Sequence, residues 1–292
     1  MSSKQLKSLA VVAFVTVFAL GFAYLAGANS VAVGGSSAVF AAAVIALAIN
    51  WAAFVPSAIA QSDKFYDSMG AVTYLCVIGF AAWAAWPLDM RGIVIACMVA
   101  IWCLRLGSFL FIRIHAMGGS DSRFAKIKTN PARFLVAWTL QALWVILTAS
   151  AAVIAITIAD REPVGIFFFI GAAVWLLGFV FEAIADQQKS VFKSDPANKG
   201  KFINVGLWRW SRHPNYFGEI SLWAGILIMA VPVLSGWSWL AVISPIFVAM
   251  LLTKISGVNL QDAQAKQRWG NDPVYQEYRR KTPTLVPRPP KQ

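Results

Sequence analysis

The chain has 292 residues, 59% of them apolar and only 13% charged, with 25 Lys and Arg against 13 Asp and Glu. Soluble domains carry roughly 25% charged residues, so the composition excludes an ordinary soluble enzyme, and the net charge of +12 asks for a topological explanation before a nucleic-acid partner. Three cysteines without metal-site spacing and only two histidines suggest neither a disulfide framework nor a bound metal.

Apolar runs of the length that crosses a bilayer, about 20 residues, recur throughout. In chain order they cover 8–28, 38–60, 69–88, 92–114, 132–158, 164–185, 214–234 and 237–253. They predict an all-α, polytopic helical membrane protein of about eight spans, forming a single integral membrane domain over 1–292. The first run follows Lys4 and Lys7 as a secretory signal would, but its length and the lack of a small-residue cleavage site make it a retained span. The string "VPVLSGWSW" turns the chain between the last two runs, which read as two spans or as one re-entrant pair.

With eight spans, 22 of the 25 Lys and Arg fall in the N-terminus, alternate loops and the tail. The other loops hold only Arg91 and Arg161, and Arg105 lies within a span. This bias places both termini and the large basic loops in the cytoplasm, in a membrane read as a bacterial inner membrane.

The polar residues that a bilayer penalises are the candidate chemistry. Arg105 lies mid-span in "IWCLRLGSFLFIRI", where a charge costs roughly 2.5–3.5 kcal/mol on insertion scales; it should face the interior with a partner, as a functional group or a structural ion pair. Glu182 and Asp186 in "FEAIADQQK" share a helix face at spacing i,i+4, and Lys189 and Lys193 continue it, as a solvated helix end or as one wall of a cofactor cleft. In "GLWRWSRHPNYFGE", residues 206–219, Pro214 suits the first turn of a helix. The amides and dipole there, with Arg212, Arg209, Lys199 and Lys201, favour an anion such as phosphate. The alternative is an interfacial anchor of Trp208, Trp210, Arg212 and Tyr216. The loop "AQSDKFYDSMG" offers Asp63, Tyr66 and Asp67 as acid or orienting groups, or as an ordinary polar turn, and "GGSDSRF" adds Asp121 and Arg123. The tail "RWGNDPVYQEYRRKTPTLVP" reads as a cap over a nucleotide site or as an anchor to anionic lipid.

The string "GLWRWSRHPNYFGE" resembles the C-terminal region of steroid 5-alpha-reductases and sterol reductases, and most of all their bacterial relatives grouped as a domain of unknown function. The ending "DPVYQEYRRKTPTLVP" fits the same group. The specific matches span roughly 178–287, a reductase-like C-terminal region; earlier ones are "DKFYDSMG", "LRLGSFLFIR" and "DSRF". The resemblance implies a membrane-embedded, NADPH-dependent reductase of a carbon–carbon double bond, with the cofactor entering from the cytoplasm and a lipid-like or steroid-like substrate from the bilayer. It implies that Asn215 and Glu219, with His213 and Tyr216 beside them, contact the cofactor, together with Glu182 and Asp186. Lys193, Lys199, Arg212 and Arg105 are the candidates for holding phosphate. Tyr66, Asp63 and Asp67 are the candidates for proton delivery. Glu182 departs from the Asn of the steroid enzymes, and their early Glu and Tyr pair has no clean equivalent; Trp102 stands near the place of the Tyr.

The isoprenylcysteine-type methyltransferases, which use S-adenosylmethionine, share an Arg-His-Pro-x-Tyr segment followed by a Glu-Glu pair in the tail. The corresponding "NLQDAQAKQRW" lacks that pair. A lipid transporter is a third reading, carried chiefly by Arg105. Membrane lipids are expected neighbours; neither a nucleic acid nor a protein partner is expected.

Overall fold

The computed structural model describes residues 2–116 and 124–290, so Asp121 and Arg123 lie outside the described residues. Among the described residues, eight helical segments are long and apolar enough to cross a membrane, and the chain is an all-α integral membrane protein. The helices are α1 Ser3–Ala26, α2 Ala38–Ile59, α3 Tyr66–Ala84, α4 Met90–Ala116, α5 Pro131–Thr157, α6 Ile166–Ser194, α7 Pro214–Ala230, α8 Ile243–Met250, α9 Val258–Trp269 and α10 Pro273–Lys281. They form two compact units: Met1–Gly165 with Met229–Ile243, and Ile166–Ile228 with Ser244–Gln292.

In the first unit α5 packs against α1, α2, α3 and α4. Its second half, "TASAAVIAIT", is buried along its whole length; small side chains let neighbouring helices approach closely where lipid supplies no hydrophobic drive. Buried polar side chains within the spans of this unit answer neutral groups, as a membrane interior demands. Asn50 donates to Ala46 O at 2.9 Å and Thr73 Oγ1 at 3.1 Å, Thr73 donates to Met69 O, and Trp51 donates to Thr139 Oγ1 at 3.0 Å. Between α1 and α2 the chain reverses in a two-strand hairpin, β1 Ala32–Val33 with β2 Ser36–Ser37. Gly34 and Gly35 have φ of 58° and 82°, the left-handed pair that a tight hairpin turn requires.

The two basic residues of the sparse loops act as a clasp. Arg91, fully buried, donates to Glu162 O at 2.9 Å and Pro163 O at 3.3 Å; Arg161 donates to Pro87 O and Ala85 O, both at 2.5 Å. Arg91 thus fastens the start of α4, and Arg161 the turn before it, to the loop after α5.

In the second unit α6 and α7 cross on glycines. A Cβ on Gly178 would lie 2.6 Å from Gly218 O, and one on Gly218 would lie 2.6 Å from Glu182 N. One heptad on, a Cβ on Gly225 would lie 2.6 Å from Gly171 O. The backbones touch here, so side chains are excluded and Glu182 is carried into the contact. The eighth apolar run is not one regular helix: Gly236–Val242 is a 3₁₀ turn, α8 has eight residues, and Leu251–Ile255 forms a π turn before α9. α6 runs on to Ser194, well past the end of its apolar run at 185.

Candidate functional site

The second unit gathers its ionisable residues where α6, α7, α9 and the tail converge. Pro214 opens α7 and leaves Ser211–His213 as the entering strand of chain. Trp208 anchors this approach: it is buried, and its indole N–H donates to Ala185 O at 3.0 Å. The tail fixes the other side. Arg212 N donates to Pro283 O at 2.9 Å, Ser211 Oγ to Leu285 O at 2.8 Å, Arg288 N to Trp210 O at 2.9 Å, and Tyr278 Oη to Trp208 O at 2.7 Å. Phe202, Trp269, Tyr275 and Tyr278 close around it as an aromatic cluster, and burial pushes the Tyr275 and Tyr278 hydroxyls above their ordinary range.

At the centre is Asp262 of α9. It accepts two hydrogen bonds from Arg212 Nη1, at 3.1 and 2.9 Å, and one from His213 Nε2 at 3.3 Å; Arg279 stands 3.8 Å away. Arg212 Nη2 also donates to Thr284 Oγ1 at 2.5 Å. His213 stacks on Tyr216 with rings 5.3 Å apart and nearly parallel, and Tyr216 Oη accepts from Gln261. Burial holds the His213 imidazole below its ordinary pKa, with the bond to Asp262 opposing and the charges of Arg212 and Lys189 reinforcing that shift. The ring is therefore neutral at neutral pH. With Nε2–H turned to Asp262, Nδ1 carries the lone pair, and among the described residues neither it nor Arg212 Nε, both buried, has a hydrogen-bond partner.

On the α6 side Asn215 Nδ2 donates to Asp186 Oδ1 at 3.2 Å. Asp186 and Glu182 are both buried, Glu182 to 2% exposure, a costly position for carboxylates that needs polar company. Lys189 lies 4.7 Å over the Trp208 ring and reaches Gln261 Oε1 at 3.5 Å. Glu219 is half-buried one turn into α7, whereas Lys193 and Lys199 are exposed at and beyond the end of α6.

Of the residues proposed from sequence, the structure thus joins Asp186 with Asn215, and Arg212 with His213 and Tyr216. Arg212 spends its charge on Asp262 and Thr284 rather than standing open. Asp262, Gln261 and Thr284 escaped the sequence reading. For Gln261 and Asp262 the available signal was the polar string "NLQDAQAKQRW" that follows the last apolar run; Thr284 had none. Arg105, Asp63, Tyr66 and Asp67 belong to the first unit. Arg105 is half-buried in α4. Asp63 is buried and pairs with Lys128 at 2.7 Å, and Asp67 stands 3.7 Å from Arg113. Tyr66 donates to Ala137 O at 2.9 Å within a cluster of Phe124, Phe134 and Trp138.

A family described as a protein of unknown function, DUF1295, matches residues 53–282. The chain belongs to DUF1295. That match takes in α3 to α10 and every residue of the cluster around Asp262 except Thr284. Over 231 residues this DUF1295 chain is 25% identical to an uncharacterized protein of Schizosaccharomyces pombe, covering 68% of the chain and 64% of that relative's length. It is also similar to the probable O-methyltransferase ustE of Ustilaginoidea virens, 37% identical over 60 residues, 20% of the chain and 21% of the relative. No solved structure matches the chain.

Proposed function

We propose that this chain is a membrane-embedded reductase that uses NADPH to saturate a carbon–carbon double bond in a lipid-like substrate, with the cofactor held in the second unit. The observation that carries the reading is the Asn215–Asp186 pair beside buried Glu182, at the point where α7 begins and crosses α6. The resemblance of "RHPNYFGE" to steroid and sterol reductases points to the same residues.

The residues present fit a dinucleotide. The orphaned, buried His213 Nδ1 and Arg212 Nε supply one acceptor and one donor of the kind that ribose and carboxamide edges need. Asn215, Asp186 and Glu182 would hold the polar nicotinamide end, and Lys189, Lys193 and Arg279 would meet phosphate charge. When bound, NADPH supplies a hydride, delivered to the β carbon of an activated alkene. The chain's own tasks are to orient, through Asn215 and Asp186; to hold His213 in one tautomer, through Asp262, while burial keeps the ring neutral; and to exclude water, through the tail stitched over residues 208–213. A proton from a side-chain or water acid completes the saturation.

The second reading, an S-adenosylmethionine-dependent methyltransferase, is favoured by the similarity to ustE and by Asp262, an acid found in the tail segment where the methyltransferases carry their Glu pair. Titration of purified, detergent-solubilised protein with each cofactor separates the two. The reductase reading expects saturable NADPH binding that Asn215→Ala or Asp186→Ala weakens at least tenfold; binding of S-adenosylmethionine with no affinity for NADPH overturns it.

A further inference from the structure

The first unit carries a feature that the proposed reaction does not use. Between α1 and α5, which pack side by side, runs an open groove of about 430 Å³, within the size range of small-molecule sites, ~300–1,000 Å³. Its two walls share one gradient. On α1 it passes from Lys7 and Ser8 to Val11, one turn on; on α5 it passes from Arg133 to Val136 and Leu140, one and two turns on. Both basic residues thus sit at the same end, at the start of their helices, beside Ile127 of the loop before α5; the other apolar residues lie along the spans. Val11 and Leu140 remain 43% and 45% exposed.

No carboxylate lines the groove, and neither Lys7 nor Arg133 has an ion-pair partner among the described residues. The contrast with the neighbouring Lys128, paired with buried Asp63, is direct. Two unpaired cations at the end of an apolar trough complement one kind of molecule: an anion covalently attached to a hydrocarbon chain. Basic pockets between membrane helices hold anionic head groups by this means, and the apolar wall adds burial of the adjoining chain.

We propose that the α1–α5 groove binds a single anionic phospholipid, with its phosphate between Lys7 and Arg133 and an acyl chain along Val11, Val136 and Leu140. The site is independent of the cofactor cluster.

The test is native mass spectrometry of the full-length, detergent-solubilised protein titrated with phosphatidylglycerol or with chain-matched phosphatidylcholine. One phosphatidylglycerol per protein is expected to be retained preferentially. The double variant Lys7→Gln, Arg133→Gln should weaken it about 25-fold, at about fivefold for each basic residue from ~1 kcal/mol apiece near an anionic surface. Leu140→Trp, which fills the trough and keeps both cations, should also displace it. Lys266→Gln with Arg268→Gln, the same change of charge on exposed α9, should leave it unchanged. Should the double variant fail to fold, Arg133→Gln alone decides, with its expected fivefold loss. Equal retention of the two lipids, an equal loss in the α9 control, or no loss in the groove variants overturns the proposal.

Discussion

Asn50, Thr73, Thr139 and Gln141 in the first unit are buried and answer neutral groups, chiefly carbonyls of the helices around them. In the second unit Asp186, Arg212, His213, Asn215 and Asp262 answer one another across segments far apart in sequence. The arginines sharpen the contrast. Arg91 is buried and hydrogen-bonds loop carbonyls that do not titrate, with the Asp89 carboxylate only at 3.9 Å, whereas the half-buried Arg212 hydrogen-bonds a carboxylate shared with a histidine. A neutral acceptor fastens a loop without adding a second charge to desolvate; a charged cluster in an apolar protein carries a desolvation cost that hydrophobic packing would avoid. The first unit has a buried pair, Asp63 with Lys128, whereas the second shares one carboxylate among Arg212, His213 and Arg279, and that network marks the second unit as the place where charge is concentrated.

The largest effect expected from breaking this contrast is at Asp262. Asp262→Ala leaves buried His213 and half-buried Arg212 without their shared acceptor and should cost ~3–4 kcal/mol, the lower part of the range for a broken buried pair because Asp262 and Arg212 are themselves part exposed. It should also weaken cofactor binding. Arg91→Leu should cost ~2–3 kcal/mol through lost hydrogen bonds to a charged donor, while cofactor affinity stays unchanged; thermal unfolding in detergent with a parallel binding titration measures both. A loss of cofactor binding in Arg91→Leu would erase the distinction between the units. Gly218→Ala forces a Cβ against the α6 backbone and should cost ~1–2 kcal/mol by overpacking, with a fall in affinity because Glu182 must move.

The smallest expected effect is on pH dependence. His213 has a lowered folded pKa from burial, so between its unfolded value of about 6.5 and that lower folded value the unfolded chain binds more protons. The contribution is present above about pH 6.5 and is lost as the pH falls through the folded value. The melting temperature should decline on acidification across this window in the parent protein and decline less in His213→Asn. Equal slopes would remove His213 as the source.

Eight spans were legible because hydropathy is a property of composition, and length fixes what crosses a bilayer. Where each helix ends was less so. α6 continues through "ADQQKSVFKS", whose residues favour helix without being apolar, and the eighth run breaks into 3₁₀, α and π turns at Gly236, Leu251 and Gly257 that an apolar string hides. At the site, "NYFGE" and "FEAIAD" were readable because spacing on one helix face is local. Asp262 was not, because its partners Arg212 and His213 are brought to it by tertiary packing alone. Tyr66 shows the same limit in the other direction: its hydroxyl proton goes to Ala137 O in an aromatic cluster that no local pattern announces.

The central claim is that the second unit holds NADPH at Asn215 and Asp186. Equilibrium binding of NADPH to the purified protein, beside Asn215→Ala, Asp186→Ala and Arg91→Leu, tests it most directly. Saturable binding in the parent and in Arg91→Leu, with at least a tenfold loss in both second-unit variants, is the expected result. Absence of NADPH binding, or equal affinity in all four proteins, would contradict it.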